Sequence, residues 1–260
     1  MGEGTFSRLH VRFLILSLTV CASAMIAAVW WYYQRQREAI DNAAANQLSA
    51  VADFKTAQIA NWRRERIGDG RVVAASPLMR SAQRILSDEQ PTKEDQTDIL
   101  AMMQALSREF LFSDATLVDL DGLVHIRLNE DRTDVSQLSQ SVRRELASEA
   151  VRVNGVVLSD LTLDTRLGRP LMASVIPVHG LGALILEIDP ASFLYPYLRS
   201  WPTPSQTAET VLLRRDGSSG ILALNELQHD PSGSALVRRS PRVLPNDEEL
   251  RSGWFRRELD

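Results

Sequence analysis

Three side chains in otherwise apolar, strand-like runs carry most of the chemistry this sequence offers: His125, Arg127 and Asp160. In Leu123-Val124-His125-Ile126-Arg127-Leu128, strand alternation puts Leu123, His125 and Arg127 on one face and Val124, Ile126 and Leu128 on the other. A guanidinium so placed can hold a carboxylate through a two-pronged, charge-assisted contact, while Asp160 would receive an amine or hydroxyl. Buried polar groups need partners. Either these residues take up a small polar, anionic ligand, or Arg127 and Asp160 neutralise each other, or they face water on an open side of the sheet.

A reaction centre is harder to find. His10, His125, His179 and His229 lie far apart, and none has a second ligand at helical spacing, so no local metal motif forms. Gly180-Leu181-Gly182 runs into Ala183 and a strand, whereas a dinucleotide fingerprint needs a third glycine opening a helix. The Gly-x-Ser-x-Gly pattern of a nucleophile elbow does not occur. Met102 and Met103 read as core filler rather than metal ligands. The residues call for no cofactor, and a binding module or a structural, dimerising module fits them better than an enzyme. A net charge of −4 gives no electrostatic reason to expect nucleic acid, whose binding needs clustered basic residues, as a partner. The single cysteine, Cys21, permits no intrachain disulfide.

The elements that must position these residues begin with Phe13 to Tyr33, a stretch without ionisable charge that ends in Trp30-Trp31-Tyr32-Tyr33. As a helix it is about 31 Å long, matching a hydrocarbon core of about 30 Å, with the aromatic quartet at a headgroup boundary. Ala22-Ser23-Ala24 has the form of a signal-peptidase site, but cleavage there would leave apolar Met25 to Tyr33 at a new N-terminus, so an uncleaved anchor is expected. Val20 before Cys21 argues against a lipoprotein signal. Arg8 and Arg12 nearly balance Arg35 and Arg37, so the short length of residues 1–12 is what assigns them to the cytoplasm and the remainder to the outside.

From Gln34 to about Gly68, apolar residues at Ile40, Ala44, Leu48, Val51, Ile59 and Trp62 form one helical stripe, interrupted by Lys55. A sheet of the same chain or a second copy must cover it, so a homodimer through residues 34–68 is expected. Trp62 reads as a core anchor with Arg63, Arg64 and Arg66 as its solvated flank; a ligand-binding turn is the other reading. Helices are expected from Ser76-Pro77 to Leu86, from Asp98 to Phe110 and from Ser136 to Val151, with a loop over Asp88 to Asp95. Strand-like runs cover Ala115 to Leu120 and Leu123 to Leu128 around the Asp121-Gly122 turn, then Gly155 to Leu163, Pro170 to Val178 and Ala183 to Ile188. A short helix follows Asp189-Pro190, and Trp201-Pro202-Thr203-Pro204 marks a boundary. Beyond it, Val211 to Asn225 echoes Thr116 to Asn129 in the order strand, Asp-Gly, strand, Leu-Asn. Either this is a second copy of one module or two hairpins merely look alike; too few residues follow for a complete copy, and a lone hairpin would be marginal in water.

A span, a long helix, and then LVDLDGLVHIRL, VVLSDLTLD, GRPLMASVIPV and GALILEIDP in that order resemble the double Cache sensor domains, PAS-like modules of bacterial transmembrane receptors. The resemblance covers Gln34 to Ser200 and, in part, Thr207 onward. It implies an α+β fold in which antiparallel PAS-like sheets are strung on the long helix. Residues 1–12 would be a cytoplasmic tail, 13–33 a transmembrane helix, 34–200 the long helix with a membrane-distal module, and 201–260 the start of an incomplete proximal one. It further implies a single-pass protein of the bacterial inner membrane with its globular part periplasmic, a small ligand in the distal module, and output through a kinase, cyclase or chemotaxis domain that these residues do not include. The Arg-x-Trp-Tyr run of amino-acid-binding members does not occur.

Overall fold

The computed structural model describes residues 3–87, 91–130, 137–164, 166–201, 208–216, 220–226 and 236–239. The expected boundary at Pro202-Thr203-Pro204 and the start of the expected loop at Asp88 lie outside them. The fold is α+β: a long N-terminal helix followed by antiparallel sheets.

Helix α1 runs without a break from Glu3 to Ala74. Its first compact unit extends to Asp53. There the side chains from Phe13 to Tyr33 are exposed, and the helix is long and apolar enough to cross a membrane. The hydroxyls of this stretch bond back within the helix, Ser17 to Leu14 O at 2.9 Å, Thr19 to Leu16 O at 2.8 Å and Ser23 to Thr19 O at 2.8 Å, which is how such groups are satisfied in an apolar surrounding. At the aromatic end Arg35 folds over the Trp31 ring at 5.3 Å and Arg37 over Tyr33 at 5.6 Å. Cations over ring faces are a favourable arrangement at a lipid boundary.

The second unit begins at Phe54 and holds the sheets. Here α1 continues past the expected end near Gly68, because Gly70 is needed where it stands: a Cβ would lie 2.6 Å from Val156 Cγ1. Close approach to the sheet module outweighs the roughly 1 kcal/mol that glycine costs a helix. Two helices follow, α2 (Met79–Leu86) and α3 (Lys93–Phe110). Helix α2 starts two residues after Pro77, since Ser76 O accepts from Met79 N and forms a turn first. Helix α3 starts five residues earlier than its apolar spacing indicates, because Thr92 and Asp95 cap it reciprocally.

The main sheet contains β1 (Asp114–Asp119), β2 (Val124–Arg127), β3 (Val157–Leu158), β4 (Thr162–Asp164), β5 (Arg169–Val178) and β6 (Gly182–Ile188), with α4 (Gln140–Val153) between β2 and β3. The strand order is β2-β1-β6-β5-β3, with β4 also pairing β5, and every pairing is antiparallel. The expected strand over Gly155 to Leu163 is split at Ser159-Asp160-Leu161. Ser159 N still donates to Ala173 O at 2.8 Å, but Ser159 Oγ accepts from Ala173 N at 2.8 Å and Asp160 Oδ1 accepts from Leu161 N at 2.7 Å, so side-chain oxygens take over as acceptors there.

Each face of the sheet has its own core. On one side Leu117, Ile176, Leu184 and Leu186 pack with Trp62, Met79, Ile99 and Met103 from the first three helices. Across the sheet Val118, Ala173, Val175, Ala183 and Ile185 meet Leu138, Ala147 and Ala150. Helix α4 therefore rests on small residues and lies close to the strands.

Helix α5 (Leu194–Arg199) follows β6, and the second sheet comprises β7 (Leu213–Asp216), β8 (Gly220–Ala223) and β9 (Val237–Arg239) in that order. The repeat read from the sequence has a structural counterpart. Asn129 Nδ2 donates to Ser113 O at 3.2 Å, and Asn225 Nδ2 donates to Thr210 O at 2.9 Å, so each asparagine ties the end of its hairpin to the approach of the first strand. The second hairpin does not stand alone: Leu224 joins the main core, and Tyr195 Oη donates to Leu224 O at 2.9 Å.

Candidate functional site

The α4 face of the sheet is apolar except at one end, where Asp114, Arg127 and Glu187 come together. Register explains the grouping: Asp114 pairs directly with Glu187, Thr116 pairs with Arg127, and side chains of neighbouring strands in register share a face. Asp114 is wholly buried and Glu187 is 1% exposed.

Asp114 is fully engaged. Arg127 Nε donates to its Oδ2 at 2.6 Å, with Nη2 of the same guanidinium alongside, while Ala115 N, Asn129 N and Asn129 Nδ2 donate to Oδ1 at 2.9, 3.2 and 3.2 Å. Glu187 is not. Its Oε1 accepts from Leu138 N at 3.3 Å, and its Oε2 is buried with no hydrogen-bond partner among the described residues. Burial pushes its carboxyl up to about 7; the Leu138 N–H opposes this, the charge of Asp114 adds to it, and Arg127 and Arg143 pull the other way.

The cover over this end is the stretch leading into α4. Ser139 caps the helix, Gln137 N donates to Asp164 Oδ2 at 2.9 Å, and Arg143 reaches back to Leu138 O and to Gly122 O, the latter at 3.0 Å. Asp164 also accepts from Arg166 N and Leu167 N; these bonds hold its carboxyl below the usual range although burial works against them. Gly122 has φ +74°, and a Cβ there would lie 2.5 Å from Gln140 O and 2.7 Å from Arg144 N. The β1–β2 turn thus touches the backbone of α4, which only glycine allows.

The three residues singled out from the sequence have three different partners. Arg127 is bound to Asp114. His125 occupies a bulge of β2 and lies 3.2 Å from Asp119 Oδ2 at the end of β1, while Asp160 pairs with Arg214 at 2.7 Å. Arg127 and Asp160 do not pair with each other. Strand reasoning missed Asp114 and Glu187, although both are acidic residues in apolar runs, Glu187 within GALILEIDP. Among the described residues no group of three His, Cys, Asp or Glu side chains could hold a metal ion.

A second polar contact explains the interruption of the helical stripe. Lys55 is buried, and its Nζ donates to Tyr197 O, Leu198 O and Ser200 O at 2.9, 3.1 and 2.6 Å while lying 5.0 Å from the Tyr197 ring centroid. It caps the C-terminal end of α5 from another helix, and burial lowers its pKa. Beside it Trp62 stacks on Phe193 at 5.3 Å, which confirms Trp62 as a packing residue.

No family model and no curated protein matches the chain. Among solved structures, the ligand-binding domain of the Campylobacter jejuni chemoreceptor Tlp3 in complex with L-valine is 13% identical, with a TM-score of 0.42 over 60% of this chain and 62% of that one. The ligand-binding domain of the Pseudomonas aeruginosa PAO1 amino-acid chemoreceptor PCTC in complex with GABA is 14% identical, with a TM-score of 0.40 over 72% of this chain and 95% of that one. The chain thus spans about three fifths of the length of the Tlp3 domain.

Proposed function

We propose that this chain is the extracytoplasmic sensory part of a single-pass membrane receptor of the bacterial inner membrane. In this reading the α4 face of its main sheet binds a small polar ligand, and α1 passes the signal to a cytoplasmic kinase or cyclase output domain of a longer protein. The observation that carries it is the half-satisfied polar cluster at the end of an apolar face. A buried carboxylate, Glu187, with one oxygen unpartnered among the described residues, lies near two guanidinium groups under a cover formed by α4 and its approach. Such a group is costly to bury unless something pairs with it. A ligand with an anionic end toward Arg127 and Arg143 and a cationic nitrogen or hydroxyl toward Glu187 would complete the set. His125 and Asp160 would take part only when released from Asp119 and Arg214. The order of sequence motifs supports a sensor over an enzyme.

The packing of α4 on alanines and the closed Arg127–Asp114 pair favour a second reading, a structural ectodomain that dimerises through residues 34–68 without a small ligand. A thermal-shift screen of the full chain in mild detergent, against organic acids, amino acids, purines and polyamines, separates the two. The ligand reading expects a hit that stabilises wild type and is weakened at least tenfold in Arg127→Ala or Glu187→Gln. A hit that stabilises all three equally would place the site elsewhere, and no hit would leave the structural reading.

A further inference from the structure

We propose that the proton is itself a ligand of this module: uptake and release of one proton at Glu187 sets whether residues 137–139 and the start of α4 stay seated on the sheet.

The geometry is that of two buried carboxyl groups side by side. Glu187 and Asp114 are in register on adjacent strands, point to the same face and are each essentially inaccessible. Two carboxylates so placed favour both ionising only if enough cations face them. Among the described residues four further charged groups bear on the face. Arg127 of β2 donates its Nε to Asp114, while its Nη2 is buried without a hydrogen-bond partner among the described residues, and Arg143 of α4 donates to Leu138 O and Gly122 O. Asp164 of β4 is turned to the backbone of Gln137, Arg166 and Leu167, while Arg166 stands in its turn. On the other side of Glu187 its register partner on β5 is Ala173, which carries no charge. Among the described residues Glu187 is left with one N–H, from Leu138, and one unpartnered oxygen.

Protonated, Glu187 is neutral and compatible with burial. Ionised, it is a second buried anion beside Asp114, and the nearest relief is water admitted by lifting the residues that cover it. Those residues are the ones its own carboxylate oxygen holds, through Leu138 N. The sign follows from linkage. The folded-state pKa, about 7, is above the ordinary 4.5, so the fold binds this proton more tightly than the unfolded chain does. The stability it contributes is complete below the ordinary value and is lost as pH rises through about 7. Because ionised Glu187 is also the form that would hold a cationic nitrogen, proton and ligand compete for one oxygen; the inference shares that residue with the proposed site but does not need the organic ligand.

The test uses the full chain in detergent micelles, as wild type and as Glu187→Gln, between about pH 5.5 and 8.5, a range centred on the perturbed carboxyl. Hydrogen exchange is read as protection of residues 137–143, corrected for the intrinsic pH dependence of exchange. Wild type is expected to lose protection by up to about tenfold per pH unit above its midpoint, and Glu187→Gln to stay flat. Flat protection in wild type, or parallel loss in both, overturns the proposal. Should Glu187→Gln fail to fold, the infrared carbonyl band of a buried carboxylic acid in wild type decides alone: its disappearance near neutral pH supports the proposal, and its absence throughout the range refutes it. A screening hit with a flat pH profile would sink the proton and keep the ligand, while a pH transition without any hit would do the reverse.

Discussion

Arg127 and Asp160 look alike in the sequence, each a charge in an apolar run, yet their surroundings give them different expected costs. Arg127 closes a buried pair, and truncating it leaves Asp114 in the core with its charge unmatched. Arg127→Ala should therefore cost about 3 kcal/mol. Asp160 meets Arg214 near the surface, where an ion pair contributes under about 1 kcal/mol, and Arg214 keeps a second acceptor in Leu161 O at 3.1 Å. Denaturant midpoints of the two variants in detergent check this, and equal costs would mean that the burial of the Asp114 pair has no energetic consequence.

Elements here are positioned by single contacts that can be removed one at a time. Lys55 caps α5 with three donated hydrogen bonds from a different helix. Lys55→Met keeps the apolar stem but abandons three carbonyls, so a loss of about 2–3 kcal/mol is expected, with the amide protection of residues 194–200 falling more than that of α3. Uniform loss across both helices would make Lys55 a general stabiliser rather than a cap. The fit of α4 against the β1–β2 turn can be isolated by comparing two glycines. Gly122 and Gly168 both have positive φ, +74° and +64°, so alanine strains both by about 1–2 kcal/mol. Only at Gly122 does a Cβ meet backbone, whereas nothing lies within 4 Å at Gly168. Gly122→Ala should cost about 1–3 kcal/mol more than Gly168→Ala, the range for overpacking. Matching costs would show that α4 shifts freely and does not hold its place on the sheet.

For the whole molecule the anchor and the pairing of copies are the testable properties. A reporter active only outside the cytoplasm should work when fused after Asp260, and a cytoplasm-only reporter working there would reverse the topology. If two chains meet along residues 34–68, contact should involve the side of α1 that its own chain leaves open, where Ile40 and Phe54 are exposed. Cysteines placed there, in a chain with Cys21→Ser, should crosslink in membranes; crosslinking at neither position would favour a monomer.

The sequence by itself determined the elements whose signal is local. The span is legible because charge-free length is a one-dimensional property, the hairpins because Asp-Gly turns and two-residue alternation act over a few residues, and the helical stripe because its period repeats many times. Their ends were decided otherwise: α3 begins early through a Thr92–Asp95 cap, and α1 outlasts Gly68 because Gly70 meets Val156. The α+β class with antiparallel sheets was legible in the order of helical and strand-like runs. Only the tertiary structure decided which charges meet. Arg127 faces Asp114 through a hairpin register with a bulge at His125, and Glu187 reaches Asp114 across strands that are 73 positions apart in the chain. Lys55 finds its three carbonyls more than 140 residues away. Hydrophobic period is set by neighbours in sequence, whereas charge pairing in a core is set by register, and register belongs to the folded sheet.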